Sequence, residues 1–141
     1  MSLLNVFDVA GSAMAAQQVR LNTTASNLAN AESVAESPDQ TYKARHPVFA
    51  AALAGAQNAR AGDGEGQGVQ VLGVVESDAP LNYRYEPTHP FADESGYVAY
   101  PNVSAVTEMA DMISASRSCQ INVEMMETAK SLAERLLRLG Q

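Results

Sequence analysis

Asn102-Val-Ser-Ala-Val-Thr-Glu-Met-Ala-Asp-Met-Ile-Ser-Ala-Ser-Arg-Ser-Cys-Gln-Ile-Asn-Val-Glu-Met-Met-Glu-Thr-Ala-Lys-Ser-Leu-Ala-Glu-Arg-Leu-Leu-Arg-Leu139 contains neither Gly nor Pro. Apolar or small residues recur along it at alternating steps of four and three: Ala105, Met109, Met112, Ser116, Cys119, Val123 and Met126. After a break at Lys130, Ala133 and Leu137 continue the series. This is the heptad-like period of helices that pack along their length. A helix over 102–139 would be roughly 57 Å long at about 1.5 Å per residue, too long to lie flat on a small core. Its ends are marked as well. Pro101 precedes it, Asn102 or Ser104 can cap it, and Glu108 and Asp111 sit near the positive end of the dipole. Lys130, Arg135 and Arg138 sit near the negative end, and Gly140 supplies a stop.

The other end of the chain mirrors this pattern. From residue 2 to about 30, Leu3, Phe7, Ala10, Met14, Gln17, Leu21, Thr24 and Leu28 step by four and three, and Val6 and Ala13 widen the stripe. Asn5, Asp8, Ser12, Gln18, Asn22 and Ser26 fall on the opposite face. The stripe is narrow, suited to helix–helix packing rather than to a deep core. It fits equally a surface helix on a globular domain and half of a terminal coiled coil.

Between the two helices the periodicity changes. Residues 31–47 read as a connector, with Tyr42–Phe49 extended because His46 precedes a proline. Phe49–Leu53 is a short helix or strand, and 54–67 is a low-complexity, Gly-rich flexible loop ending at Gly68. Val69–Val75 is the clearest strand, with Leu81–Tyr85 as a candidate partner, and Tyr97–Tyr100 forms a further strand after a turn at Gly96. So small a β module is marginal alone and needs flanking helices to pack on. The expected architecture is mainly α with a small β module. Long N- and C-terminal helices pair as a coiled coil around a short β-rich middle insertion. The expected domains are an N-terminal axial helix over 1–31, a connector, loop and β module over 32–101, and a long C-terminal axial helix over 102–141.

Composition narrows the function. The chain has 141 residues and a net charge of −7 with scattered Lys and Arg, so it lacks the basic face that nucleic-acid binding requires. A single Cys precludes an internal disulfide and a Cys-based zinc site. His46 and His89 each stand before a proline and read as loop residues rather than ligands. Nothing approaches the ~20 apolar residues of a membrane span, and a cleaved Sec signal is not expected. No cofactor and no catalytic constellation is indicated. Glu124 and Glu127 read as a solvated helix face, the Met cluster as deformable packing, and Cys119 as a small buried apolar residue. Asn22, Asn27, Asn30 and Asn122 stand out, because Asn is disfavoured inside helices. They suggest lateral hydrogen bonds to another chain or roles at a helix end.

Thr23-Thr-Ala-Ser-Asn-Leu-Ala-Asn30 resembles the N-terminal signature of the flagellar rod and hook axial proteins, with Asn27, Leu28, Ala29 and Asn30 as its motif. Tyr42-Lys43 falls where that family continues. Gly68-Val-Gln-Val, Tyr85-Glu-Pro-Thr-His-Pro-Phe-Ala-Asp93, Gly96-Tyr-Val-Ala-Tyr-Pro-Asn-Val103 and Met112-Ile-Ser-Ala-Ser-Arg-Ser118 look like its short, proximal-rod members. So do Asn122-Val and Thr128-Ala-Lys130, and the match runs from about Ser12 to Gln141. Two features depart from the pattern: Cys119 stands where the family usually has an aromatic, and the Gly62–Gly68 loop is not shared. The resemblance implies a structural, non-enzymatic subunit of the bacterial flagellar basal body. Its implied place is the rod that crosses the periplasm, reached through the flagellar type III export apparatus without a cleaved signal or membrane insertion. The implied partners are copies of itself, other rod proteins and the rod–membrane-ring junction protein.

On that basis Leu3, Phe7, Met14, Leu21, Leu28, Met109, Met112, Ile113, Val123, Met126 and Leu137 are the candidate helix-packing and subunit-interface residues. Asn27 and Asn30 are expected to hydrogen-bond between subunits. The competing readings are a soluble helical-hairpin adaptor or export chaperone, and a small enzyme.

Overall fold

The computed structural model describes residues 3–52 and 68–139. Helix α1 spans Leu3–Ala29. A single 3₁₀ turn at Pro38–Gln40 leads to strand β1, Arg45–Ala52. Strand β2 is Gly68–Glu76, β3 is Asn82–Tyr85 and β4 is Tyr97–Tyr100. Helix α2 spans Ala105–Leu139. The molecule is thus mainly helical, with two long terminal helices and a small β region between them. The expected Gly-rich loop over 54–67 and the stop at Gly140 lie outside the described residues.

Helix α2 starts where its cap predicts. Ser104 Oγ accepts the Thr107 N–H at 3.4 Å, and the Ser104 carbonyl accepts the Glu108 N–H at 2.9 Å. Glu108 lies in its first turn and Arg138 in its last, each suited to the dipole. Helix α1 has no acidic residue in its first turn and no basic residue in its last, so it depends on packing. At its end, Asn30 Nδ2 donates to the Ser26 carbonyl at 2.8 Å, the same oxygen that accepts the Asn30 backbone N–H at 3.1 Å.

The strands form two separate two-stranded sheets, β1–β2 and β3–β4. The second is antiparallel, with Asn82 opposite Tyr100 and Tyr85 opposite Tyr97. Leu81–Tyr85 therefore does not partner Val69–Val75, as the alternation alone suggested. Asp78-Ala-Pro80 breaks the chain after β2. Asn82 Nδ2 then donates to the Pro101 carbonyl at 2.9 Å, which sets β3 beside the strand running into Pro101. The β2 partner is β1, whose identity as a strand was left open. Ala44 accepts from the Ser77 N–H at 2.8 Å just outside that ribbon. Two glycines answer to local geometry. A Cβ at Gly68 would lie 2.7 Å from Ser12 Oγ, which also accepts the Val69 N–H at 3.1 Å and so pins the start of β2 to α1. Gly96 has φ +82, the left-handed conformation its turn requires.

The chain forms two compact units. One comprises Met1–Val19, Val48–Gly73 and Ser114–Gln141; the other comprises Arg20–Pro47 and Val74–Ile113. Each contains part of both long helices. Their buried apolar residues are mostly small: Ala10, Ala16, Ala115 and Ala129 in the first, and Ala31, Ala44, Val98, Ala99 and Val103 in the second, where Tyr100 is a large exception. Large apolar side chains are instead exposed in both. Val48, Phe49 and Leu72 of the β1–β2 ribbon are examples, and a lone two-stranded ribbon is marginal in water.

Ala115 has no exposed surface. Ala115→Leu should therefore destabilise the isolated chain by about 1–3 kcal/mol through overpacking, read from urea denaturation.

Candidate functional site

The α2 side chains that face inward are Ala105, Glu108, Met112, Ala115, Cys119, Asn122, Met126, Ala129 and Ala133, each buried or half-buried. Their spacing alternates three and four without a break, because Ala129 rather than Lys130 occupies the inward position. In α1 the residues at the corresponding spacing are Val6, Ala10, Ala13, Gln17, Arg20, Thr24 and Asn27, with Ala16 and Thr23 also buried and Phe7, Met14, Leu21 and Leu28 half-buried beside them. Both lines share alternate positions with the apolar stripes read from the sequence. At the intervening positions they lie one residue earlier, which turns the centre of the stripe by about 50° at about 100° per residue. At the intervening positions of α2, Glu108, Ala115, Asn122 and Ala129 thus go inward, while Met109 and Val123 fall to the side.

Each candidate packing residue can be placed accordingly. Phe7, Met14, Leu21 and Leu28 of α1 are half-buried, as are Met112 and Met126 of α2. Met109, Ile113, Val123 and Leu137 are exposed, Ile113 by 62% and Leu137 by 73%. The side chain of Leu3 lies outside the described residues. Within the second unit, Val106, Met109 and Ile113 form an exposed strip at helical spacing. Within the first, Ile121, Met125 and Leu132 border an open apolar groove of about 400 Å³ whose far wall is Val6 of α1. Val106, Ile121 and Leu132 were not singled out in the sequence, and Met125 entered only through the Met cluster read as deformable packing. They lie off the stripe that best matched a heptad, and exposure cannot be read from residue type.

The motif residue Asn27 is 1% exposed, and its amide is fully used within the chain. Nδ2 donates to the Arg45 carbonyl at 2.8 Å and to Glu108 Oε1 at 3.1 Å. Oδ1 accepts the Arg45 N–H and the Tyr42 hydroxyl, both at 2.9 Å. Two donors and two acceptor sites are the whole capacity of an Asn side chain. The expectation that Asn27 bonds between subunits is therefore corrected. Asn27 joins α1, the segment entering β1, and α2 of one chain, while the Asn30 amide donates within its own helix to Ser26. About two helical turns before Asn27 along this line, Arg20 pairs with Asp111. Asn102 plays a parallel part in the same unit. Its Oδ1 accepts the Ala44 N–H at 2.7 Å and its Nδ2 donates to the Ala79 carbonyl at 2.8 Å.

Titratable groups gather on one face of the β3–β4 sheet. Arg84 grips Glu32 with two hydrogen bonds, at 2.8 and 3.1 Å, and lies 4.1 Å from the centre of the Tyr100 ring. The Arg84 hydrogen bond holds the Glu32 carboxyl below the usual carboxylate range. Burial, and next its hydrogen bond to Glu86, push the Tyr100 hydroxyl above its ordinary value. Among the described residues, no group of three or more His, Cys, Asp or Glu could hold a metal ion. No described helix is long and apolar enough to cross a membrane.

Comparison with known proteins places this arrangement. Residues 7–34, containing the Asn27 motif, match the family model of the flagella basal body rod protein. Residues 94–139, containing Asn102 and α2, match that of the flagellar basal body rod FlgEFG protein C-terminal region. The chain is 50% identical over 141 residues to flagellar basal-body rod protein FlgC of Salmonella typhimurium, covering 100% of both. The chain belongs to the FlgC family of flagellar basal-body rod proteins. The FlgC protein of Yersinia enterocolitica is 48% identical over 141 residues, again covering 100% of both chains. That of Borreliella burgdorferi is 33% identical over 152 residues, covering 100% of this chain and 99% of the relative. FlgC-family membership gives the chain the structural role of a basal-body rod component.

Two outcomes follow. Asn27→Ala leaves the buried Glu108 carboxylate and the Arg45 backbone without partners, and should cost about 2–3 kcal/mol in urea denaturation. Because the folded chain holds the Tyr100 proton longer than the unfolded chain, the Tyr100 contribution to stability is complete below about pH 10. It is lost as pH rises through the higher folded value, and Tyr100→Phe should remove that part of the alkaline slope in thermal melts.

Proposed function

We propose that the chain is a structural subunit of the proximal rod, assembling through its terminal helices into the helical drive shaft that transmits torque for motility. The observation that carries this reading is the offset between the buried and bulky lines of the helices. The intrachain seam uses Ala, Thr, Asn and Glu, and leaves Met109, Ile113, Val123 and Leu137 exposed. An exposed apolar strip of this kind marks an interaction surface. Burying one such side chain fully contributes about 1.5–3 kcal/mol, so several per subunit give a firm lateral contact without any single dominant bond. A heterologous contact that does not close on itself builds a helical filament, the geometry a shaft requires.

In this reading Leu3, Phe7, Met14, Leu21, Leu28, Met112 and Met126 pack in or beside the seam and support helix pairing, and the exposed set meets neighbouring subunits. The neighbours are copies of this chain, other rod proteins and the rod–membrane-ring junction protein. The chain reaches the periplasm-spanning rod through the flagellar type III export apparatus, without a cleaved signal peptide. It performs no catalytic step. The domain scheme proposed from sequence, with axial helices over 1–31 and 102–141 flanking a middle region over 32–101, describes how the assembly would use the chain.

Ile113→Glu and Leu137→Glu test this reading. Both positions are exposed, so the stability of the isolated chain should change by no more than about 0.5 kcal/mol. Export should persist, while incorporation into isolated basal bodies and swimming should be lost. Normal swimming by both variants would sink the reading. If the chain stays in the cytoplasm and is missing from basal bodies, the helical-hairpin adaptor takes its place.

A further inference from the structure

The β3–β4 sheet has a second face. The register sets Tyr83 opposite Ala99 and Tyr85 opposite Tyr97, which places all three tyrosines on one side. Arg84, Val98 and Tyr100 occupy the other side. Tyr85 and Tyr97 pack edge to face with centroids 5.4 Å apart. Tyr83, Tyr85, Phe91 and Tyr97 are all exposed, Tyr83 by 56%. Tyr83, Phe91 and Tyr97 line a groove of about 390 Å³, closed by Pro38 and Pro90. Among the described residues, the charged ones that line it are Glu36 and Asp93. The Asp93 carboxylate is held in place by the Ser95 and Tyr97 N–H groups, both at 2.8 Å. Neither Glu36 nor Asp93 is in a salt bridge among the described residues, and Glu94 adds a further exposed acid beside the groove.

We infer that this groove docks an arginine- or lysine-bearing segment of a different polypeptide. Aromatic faces attract a guanidinium or ammonium group through the ring quadrupole, and a neighbouring carboxylate completes the pairing. Tyrosine combines a rigid apolar face with a polar tip, the character of an interface anchor. The nearest cation of the same sheet, Arg84, lies on the opposite face and is tied to Glu32, so the chain does not fill its own groove with it. A second copy is the disfavoured occupant. With 16 acidic against 9 basic residues it offers this acidic face fewer cations than carboxylates, whatever apolar contacts its helices make with other copies. The inference rests on the rod-subunit reading, which supplies the neighbouring polypeptide.

The test places the photocrosslinker p-benzoylphenylalanine at position 83 in the full chain, expressed in motile cells. Basal bodies are isolated and irradiated. Adducts are mapped by mass spectrometry after digestion with a protease that does not cut at Lys or Arg. A parallel chain carries the crosslinker at position 113 on the exposed helix strip. The expected result is an adduct from position 83 to a segment of a different polypeptide containing Arg or Lys. Its yield should fall about threefold or more with Glu36→Lys, an exposed and unbonded rim position, while the position 113 yield stays constant. Adducts confined to the chain's own sequence overturn the inference, as do no adducts at 83 when those at 113 form, or a yield indifferent to Glu36→Lys. If the chain is absent from basal bodies and neither position crosslinks, the rod-subunit reading falls, and this inference with it.

Discussion

One buried amide holds three pieces of the second unit together. Asn27 projects from α1 and meets the backbone of Arg45, the hydroxyl of Tyr42 and the carboxylate of Glu108. No apolar residue could replace it, because the partners are a peptide N–H, a peptide carbonyl and a carboxylate, and each would be stranded away from water. The small core around it follows from that constraint. Ala31, Ala44 and Val103 pack together with Tyr42 beside them. Residues of that size let the connecting segments come close enough for short polar bonds. Asn102 repeats the device at the entry to α2, collecting the backbone of Ala44 and Ala79.

A polar clasp with a small-residue seam has a second effect. The bulky apolar side chains are not needed inside, so they are left at the sides of the helices. In an ordinary monomer such residues would form the core. Here Ile113 and Leu137 are exposed while Ala115 and Ala129 are buried. The seam fixes the pairing of helices within a chain through close approach and specific hydrogen bonds. The flanks remain available for a contact that depends on area rather than on geometry. Internal register therefore rests on residues other than the exposed apolar flanks.

Much of this was legible in the sequence and some was not. The two long helices, the Ser104 cap and the Tyr97–Tyr100 strand follow from period, capping chemistry and β propensity, which are local. The family followed from short segments around Asn27, His89 and Gly96. The direction of each helix was harder to read, because counting hydrophobic residues finds the bulky line, and here that line lies beside the buried one. Lys130 was the available clue. A charge interrupting a seam suggests that the seam lies one position away, at Ala129. The sheet pairing failed for a related reason. Val69–Val75 and Leu81–Tyr85 are adjacent and both alternate, but pairing was decided by Asn82 and Asn102, whose bonds span distant parts of the chain. Asn27 was noticed as an anomaly and given an external partner, since nothing local reveals that Glu108 lies opposite.

That last bond has a consequence for the order in which the molecule can form. Asn27 and Glu108 are 81 residues apart, and Arg20 and Asp111 are 91 apart. Closing loops of that length carries a large entropic cost before any contact repays it, which slows folding. A chain emerging from the ribosome with its N-terminus first presents α1 long before its partner exists. Through most of synthesis the buried face of α1 therefore has nothing to bury against, and Asn27 is satisfied only by water. Folding of the second unit waits on the arrival of the segment around Glu108, so the C-terminal quarter of the chain sets when the whole can close.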